Sequence, residues 1–144
     1  MYSKEQEILN LVKHFQNQTL PKEEWTHEAH LTVACWYLLN HTIDEATCFL
    51  RSGIITYNAA VGGKNTATGG YHETLTIFWI QIIVQFFKKE KGDLLTMVNQ
   101  FLISDFADKT LPFQYYEKSF LMSTLCRARS VSYTHLTLPT IYSV

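Results

Sequence analysis

Paired cysteines, long apolar runs and an excess of either charge are all missing from this chain. Its three cysteines, Cys35, Cys48 and Cys126, are odd in number and form no CxxC pair, and Cys35 sits between Ala34 and Trp36. That usage excludes a disulfide framework and predicts buried thiols in a reducing compartment. Twelve basic residues stand against thirteen acidic ones, a net charge of −1. No long-range field is available to attract a phosphate backbone or an anionic bilayer, so neither nucleic acid nor membrane is an expected partner. The most apolar run, Ile77 to Phe87, is interrupted by Gln81 and Gln85 and falls well short of the ~20 residues that span a bilayer. Residues Met1 to Glu7 carry charge where a secretion signal would carry its apolar segment, and the expectation is a cytoplasmic protein.

What the chain does have is apolar bulk. Hydrophobic residues make up 47% and aromatics 14% of 144 residues, enough for one well-packed core and too short a chain for two. The apolar positions recur at three and four, and no segment alternates as a strand would, so the expected fold is an all-α, single-domain bundle of five to six helices. Ser3 and Gln6 have capping-box spacing ahead of Ile8, Leu11, Val12 and Phe15, which predicts a helix over residues 4–17. Pro21 and Trp25-Thr26 open a second helix that runs to Leu39. Thr42 and Glu45 form another capping box and start a third, which reaches Ala60.

Four glycines lie between Gly62 and Gly70, a density that defeats helix and strand and predicts a flexible connection or lid. Lys64 within it invites a phosphate-loop reading, which fails because Asn65 stands where Ser or Thr is needed and a helix, not a strand, precedes it. From Tyr71 to Lys89 the chain is apolar on nearly all sides, marking a central helix with a cationic, glycine-terminated end. A fifth helix is predicted over Asp93 to Ile103, an irregular stretch over Asp105 to Tyr116, and a short last helix over Glu117 to Arg127.

Two helix starts carry the same polar chemistry: Trp25-Thr26-His27-Glu28-Ala29-His30-Leu31 and Gly70-Tyr71-His72-Glu73-Thr74-Leu75-Thr76. His27 and His30 continue the stripe of Leu31, Ala34 and Leu38, and His72 that of Leu75, Trp79, Ile82 and Phe86, so all three imidazoles point inward from helix ends. Glu28 and Glu73 stand beside them, Tyr57 and Asn58 end the apolar face of the third helix, and Tyr71 and Thr74 flank His72. Together they can line one pocket, with His27, His30, His72 and Glu73 as candidate catalytic residues and Glu28, Tyr57, Asn58, Tyr71 and Thr74 as candidate ligand contacts.

Three chemistries suit such a pocket. His27, His30 and His72 can ligate a divalent metal (zinc, iron or manganese) from facing helices, although HisGluAlaHis is one residue short of HExxH and no ExxH pair occurs. Without metal, His beside Glu is an acid/base pair, and the fourth helix's free N–H groups can hold an anionic group of a small-molecule ligand. The structural reading is that these residues cap and hydrogen-bond within the fold. The expected function is accordingly a small-molecule-binding protein or enzyme; the rival is a non-catalytic protein-interaction module in which the histidines are structural. A nucleophilic Ser or Cys site has no local support.

The strings WTHEAHL (25–31), Tyr57-Asn58 and GYHETLT (70–76) resemble a family of small bacterial helical proteins without an established reaction, cofactor or substrate, over residues 15–128. The resemblance implies that His27, His30, Tyr57, Asn58, His72 and Glu73 matter, without naming their task. In that family the chain continues past the last helix with a short segment containing Trp and Asp, which this sequence lacks. Residues 131–144 instead resemble the in-frame translation of a transposase-end adapter from short-read sequencing. They lack a helical period and hold several Thr and one Pro. The native domain is therefore expected over 1–130 and a foreign tail over 131–144, and His135 carries no functional expectation.

Overall fold

The computed structural model describes residues 1–133; the rest of the expected foreign tail, 134–144, His135 included, lies outside the described residues. Among the described residues seven α-helices follow one another, α1 (Glu5–Gln16), α2 (His27–Asn40), α3 (Ile43–Ala60), α4 (Glu73–Lys89), α5 (Leu94–Ile103), α6 (Lys118–Leu121) and α7 (Thr124–Ala128), with short 3-10 turns at Lys22–Glu24, Asp105–Ala107 and Leu111–Gln114. No strand occurs among the described residues, and the protein is the all-α bundle that the periodicity predicts. The expected last helix is two short ones, because Ser123 interrupts it and caps α7 by accepting from the Cys126 N–H.

Caps explain most boundaries. Thr42 accepts from the Glu45 N–H while Glu45 reaches back to the Thr42 N–H. Thr26 and Asp93 accept from Ala29 and Thr96 at the starts of α2 and α5. The first helix departs from its predicted cap: Glu7, not Gln6, accepts from the Ser3 and Lys4 N–H groups, because a carboxylate at that position holds two orphan donors that a Gln side chain would hold less strongly.

Two helices share the centre. Helix α4 packs against α2, α3, α5 and α7, as its all-round apolarity predicts, while α2 packs against α1, α3, α4 and α5. Leu31, Val33, Ala34, Cys35 and Tyr37 of α2 and Phe78, Ile80, Ile82 and Ile83 of α4 are buried in the core. Cys35 and Cys126 are buried, as the cysteine usage predicts, but Cys48 is exposed; it sits on the outer side of α3 amid charged and polar neighbours. No helix among the described residues is long and apolar enough to cross a membrane.

The loop between α3 and α4, where the glycine density predicts a flexible connection or lid, is tied down by side-chain hydrogen bonds. Asn65 knots it: its Oδ1 accepts from Asn58 Nδ2 and the Tyr71 N–H, and its Nδ2 donates to the Ile55 carbonyl. Thr124 Oγ1 donates to the Ala67 carbonyl and Arg127 Nη1 to that of Gly70. Gly70 has φ +81, and a Cβ there would collide with the Lys64 carbonyl and the Asn65 backbone. The glycines permit close backbone approach, and polar side chains then fix it.

Candidate functional site

Helices α2, α3 and α4 enclose a cavity of about 390 Å³ lined by His27, His30, Leu31, Ala34, Leu50, Ile54, Asn58, Gly70, Tyr71, His72, Leu75, Thr76, Trp79 and Ile80. The three histidines of the two helix starts do reach one concave space, together with Asn58 and Tyr71. Leu75 and Trp79 are only half-buried although they lie on the apolar stripe of α4, because they face this space rather than a neighbouring helix. The walls are mostly apolar, and the polar groups gather at the helix-start end.

The rings differ in what they have left to offer. His72 caps α4: its Nδ1 accepts from the Leu75 N–H at 3.1 Å, and its Nε2 lies 2.7 Å from the Leu121 carbonyl oxygen. A carbonyl only accepts, so Nε2 carries the proton and the ring is neutral with both nitrogens engaged. Burial, joined by the Arg127 charge, lowers its pKa and favours that neutral form. His27 Nε2 donates to the Ala107 carbonyl at 2.8 Å, and the ring meets Trp79 edge-on at 5.2 Å. Only its Nδ1 remains.

His30 is different. Its ring stacks on Trp25 with centroids 3.8 Å apart, and its side chain makes no hydrogen bond among the described residues. Burial, with a smaller repulsion from His27, pushes its pKa down to about 4, so it is neutral at physiological pH, with one ring N–H and one lone pair uncommitted. Trp25 in turn stacks on Phe15 at 4.7 Å and packs against Tyr57 at 5.2 Å. This aromatic wall fixes the imidazole by ring contact instead of by a hydrogen bond. The Trp25 Nε1 is itself buried without a partner among the described residues.

The arrangement corrects several sequence-based assignments. No group of three or more His, Cys, Asp or Glu among the described residues is placed to hold a metal ion. The ring chemistry says why: His72 has no lone pair to give, and neither Glu28 nor Glu73 lines the cavity. Glu73 instead takes two hydrogen bonds from Arg51, 3.0 Å to Nε and 2.6 Å to Nη2, and a third from the Tyr71 hydroxyl at 2.5 Å. Arg51 holds the Glu73 carboxyl below its ordinary range, so Glu73 braces the α4 start against α3 and is no proton donor to the cavity. Glu28 is exposed, 3.8 Å from the chain's amino group.

Tyr57 and Thr74 are likewise structural. The Tyr57 ring is fully buried and its hydroxyl donates to the Leu20 carbonyl at 2.8 Å, tying α3 to the α1–α2 connection. Thr74 is buried beneath the chain after α7, donating to the Arg129 carbonyl and accepting from the Val131 N–H. Of the candidate ligand contacts, Asn58 and Tyr71 line the cavity, and Tyr57, Thr74 and Glu28 do not. Sequence reasoning missed Thr76 and Trp79 as lining residues. Spacing held the signal, since both sit one turn or two above His72. It also missed Arg51, whose partner is 22 residues away and leaves no local pattern.

Comparison of the chain with protein-family models, with curated proteins and with solved structures finds no match in any of the three.

Proposed function

We infer that the cavity between α2, α3 and α4 binds a small, largely apolar molecule carrying one hydrogen-bonding group, and that His30 receives that group. The observation that carries this reading is the uncommitted, neutral His30 ring on the wall of a cavity of about 390 Å³. Apolar walls with a few convergent polar groups are the usual anatomy of a small-molecule site. The His30 ring is partly exposed and makes no side-chain hydrogen bond among the described residues, so a ligand hydroxyl or amide that meets it adds a hydrogen bond worth on the order of 1 kcal/mol.

The same features favour binding over acid/base catalysis. An imidazole whose conjugate acid has a pKa of about 4 is a weak base near neutrality, where a general base works best with a pKa close to the operating pH. His72 has no free nitrogen and Glu73 is neutralised by Arg51. Indole and phenol, each an apolar ring with one donor, are suitable probes, with benzene as the control that lacks one. The expected result is quenching or shift of tryptophan fluorescence and perturbation of the His30 ring signals, with phenol binding about tenfold tighter than benzene. His30→Leu should abolish the difference between the two. Equal binding of phenol and benzene by the parent protein, or no binding of either, would sink the reading.

A further inference from the structure

Arginine occurs only three times in this chain, at 51, 127 and 129, and all three line one cleft on the far side of Tyr71 from the histidine cavity. The cleft measures about 450 Å³; Tyr71, Asn65, Thr66 and Thr124 add hydroxyl and amide groups to its wall. Arg51 comes from α3 and the other two from the end of α7, so the fold gathers every guanidinium the sequence has from segments 76 residues apart. Nine lysines are spread elsewhere.

The charge there is not balanced from within. Glu73 is the single acid lining the cleft, and Arg51 claims it through two hydrogen bonds. Arg127 and Arg129 make no ion pair among the described residues. Arg127 is fixed by its Nη1 bond to the Gly70 carbonyl at 3.2 Å, while its Nε is buried without a partner. A guanidinium held in place, half-buried and without a counter-charge is arranged to gain from an incoming anion. Two uncompensated charges favour a dianion over a single carboxylate, and the forked donors of arginine match phosphate oxygens in pairs.

We propose that this arginine cleft is a binding site for a phosphate group, either free or as the monoester of a small molecule. It is independent of what fills the histidine cavity. The Tyr71 hydroxyl is committed to Glu73, which leaves Arg127 and Arg129 as the phosphate contacts and Arg51 as the residue that holds the wall.

Calorimetric titration of the full chain with inorganic phosphate and with phenyl phosphate tests this. Both are expected to bind, more weakly as salt rises, with affinity falling about tenfold in Arg129→Gln and at least as much in Arg127→Gln. Tighter binding of phenyl phosphate assigns the site to esters, and tighter binding of inorganic phosphate to the free ion. Arg129→Gln removes an exposed side chain and leaves the Gly70 contact alone, so it decides the matter even where Arg127→Gln disturbs the loop. No binding of either dianion up to ~10 mM, or unchanged affinity in a folded Arg129→Gln protein, would overturn the assignment.

Discussion

His30 pays for its place in acid sensitivity. Its pKa falls from an ordinary 6.5 to about 4 on folding, so between those values the unfolded chain takes up a proton that the native protein refuses. The contribution to stability is complete above about pH 6.5 and is lost as pH falls toward 4, amounting to on the order of 3 kcal/mol. His72, also lowered by burial, acts in the same direction. The carboxylates that bind within the fold, Glu7, Glu45 and Glu73, have pKa values below an ordinary 4.5 and add their losses at lower pH. Urea midpoints measured from pH 7.5 to 4.5 should therefore fall through a window owned by imidazoles, and His30→Leu should flatten that limb. A second residue-scale prediction concerns the Arg51–Glu73 pair. Glu73→Gln keeps the shape but leaves a guanidinium without its charge partner beneath the α4 start, and should cost about 1–3 kcal/mol in thermal or urea unfolding. If Glu73 served as an acid for the cavity, the same change would leave stability intact.

Helix ends decide what the sequence could reveal. Thr42 with Glu45 is legible because a cap and its partner lie three residues apart, and Thr26 opens α2 as the sequence suggests. The convergence of His27, His30 and His72 was also open to reading, since each continues an apolar stripe that must face the core. What each ring does with its nitrogens was not. The partners of His72 and His27 are the carbonyls of Leu121 and Ala107, 49 and 80 residues away, and backbone carbonyls carry no residue-type signal. The hydrogen bonds of the loop before α4 were not legible for a related reason: glycine content reports permitted conformations, whereas Asn65, Thr124 and Arg127 hold the one adopted. Gly70→Ala tests that account. It would force a side chain into a left-handed conformation against the Lys64 and Asn65 backbone, and should destabilise by about 1–3 kcal/mol. A freely moving lid would absorb the change, with no loss in melting temperature.

At the scale of the molecule, a cavity that the bundle keeps for a ligand and a gap that its packing tolerates respond differently to filling. Ala34 gives a way to tell them apart. It is buried on α2, on the cavity wall, beside Leu31 on the same stripe, so a longer side chain at this position grows into the cavity rather than into a neighbouring helix. In a close-packed core, enlarging a buried alanine costs about 1–3 kcal/mol through forced rotamers and shifted helices. In an open cavity of about 390 Å³, the added methylenes instead gain apolar contact that the wall lacks. Ala34→Leu should accordingly leave the melting temperature unchanged or raise it, while eliminating phenol and indole binding. A marked loss of stability would show that α2 and α4 close on each other in solution, and would remove the cavity on which the binding reading rests. Increased stability with probe binding retained would move the ligand site elsewhere in the bundle. Stability gained together with binding lost is the signature of a cavity kept open at a cost, since filling it would improve the fold and only function would oppose that change.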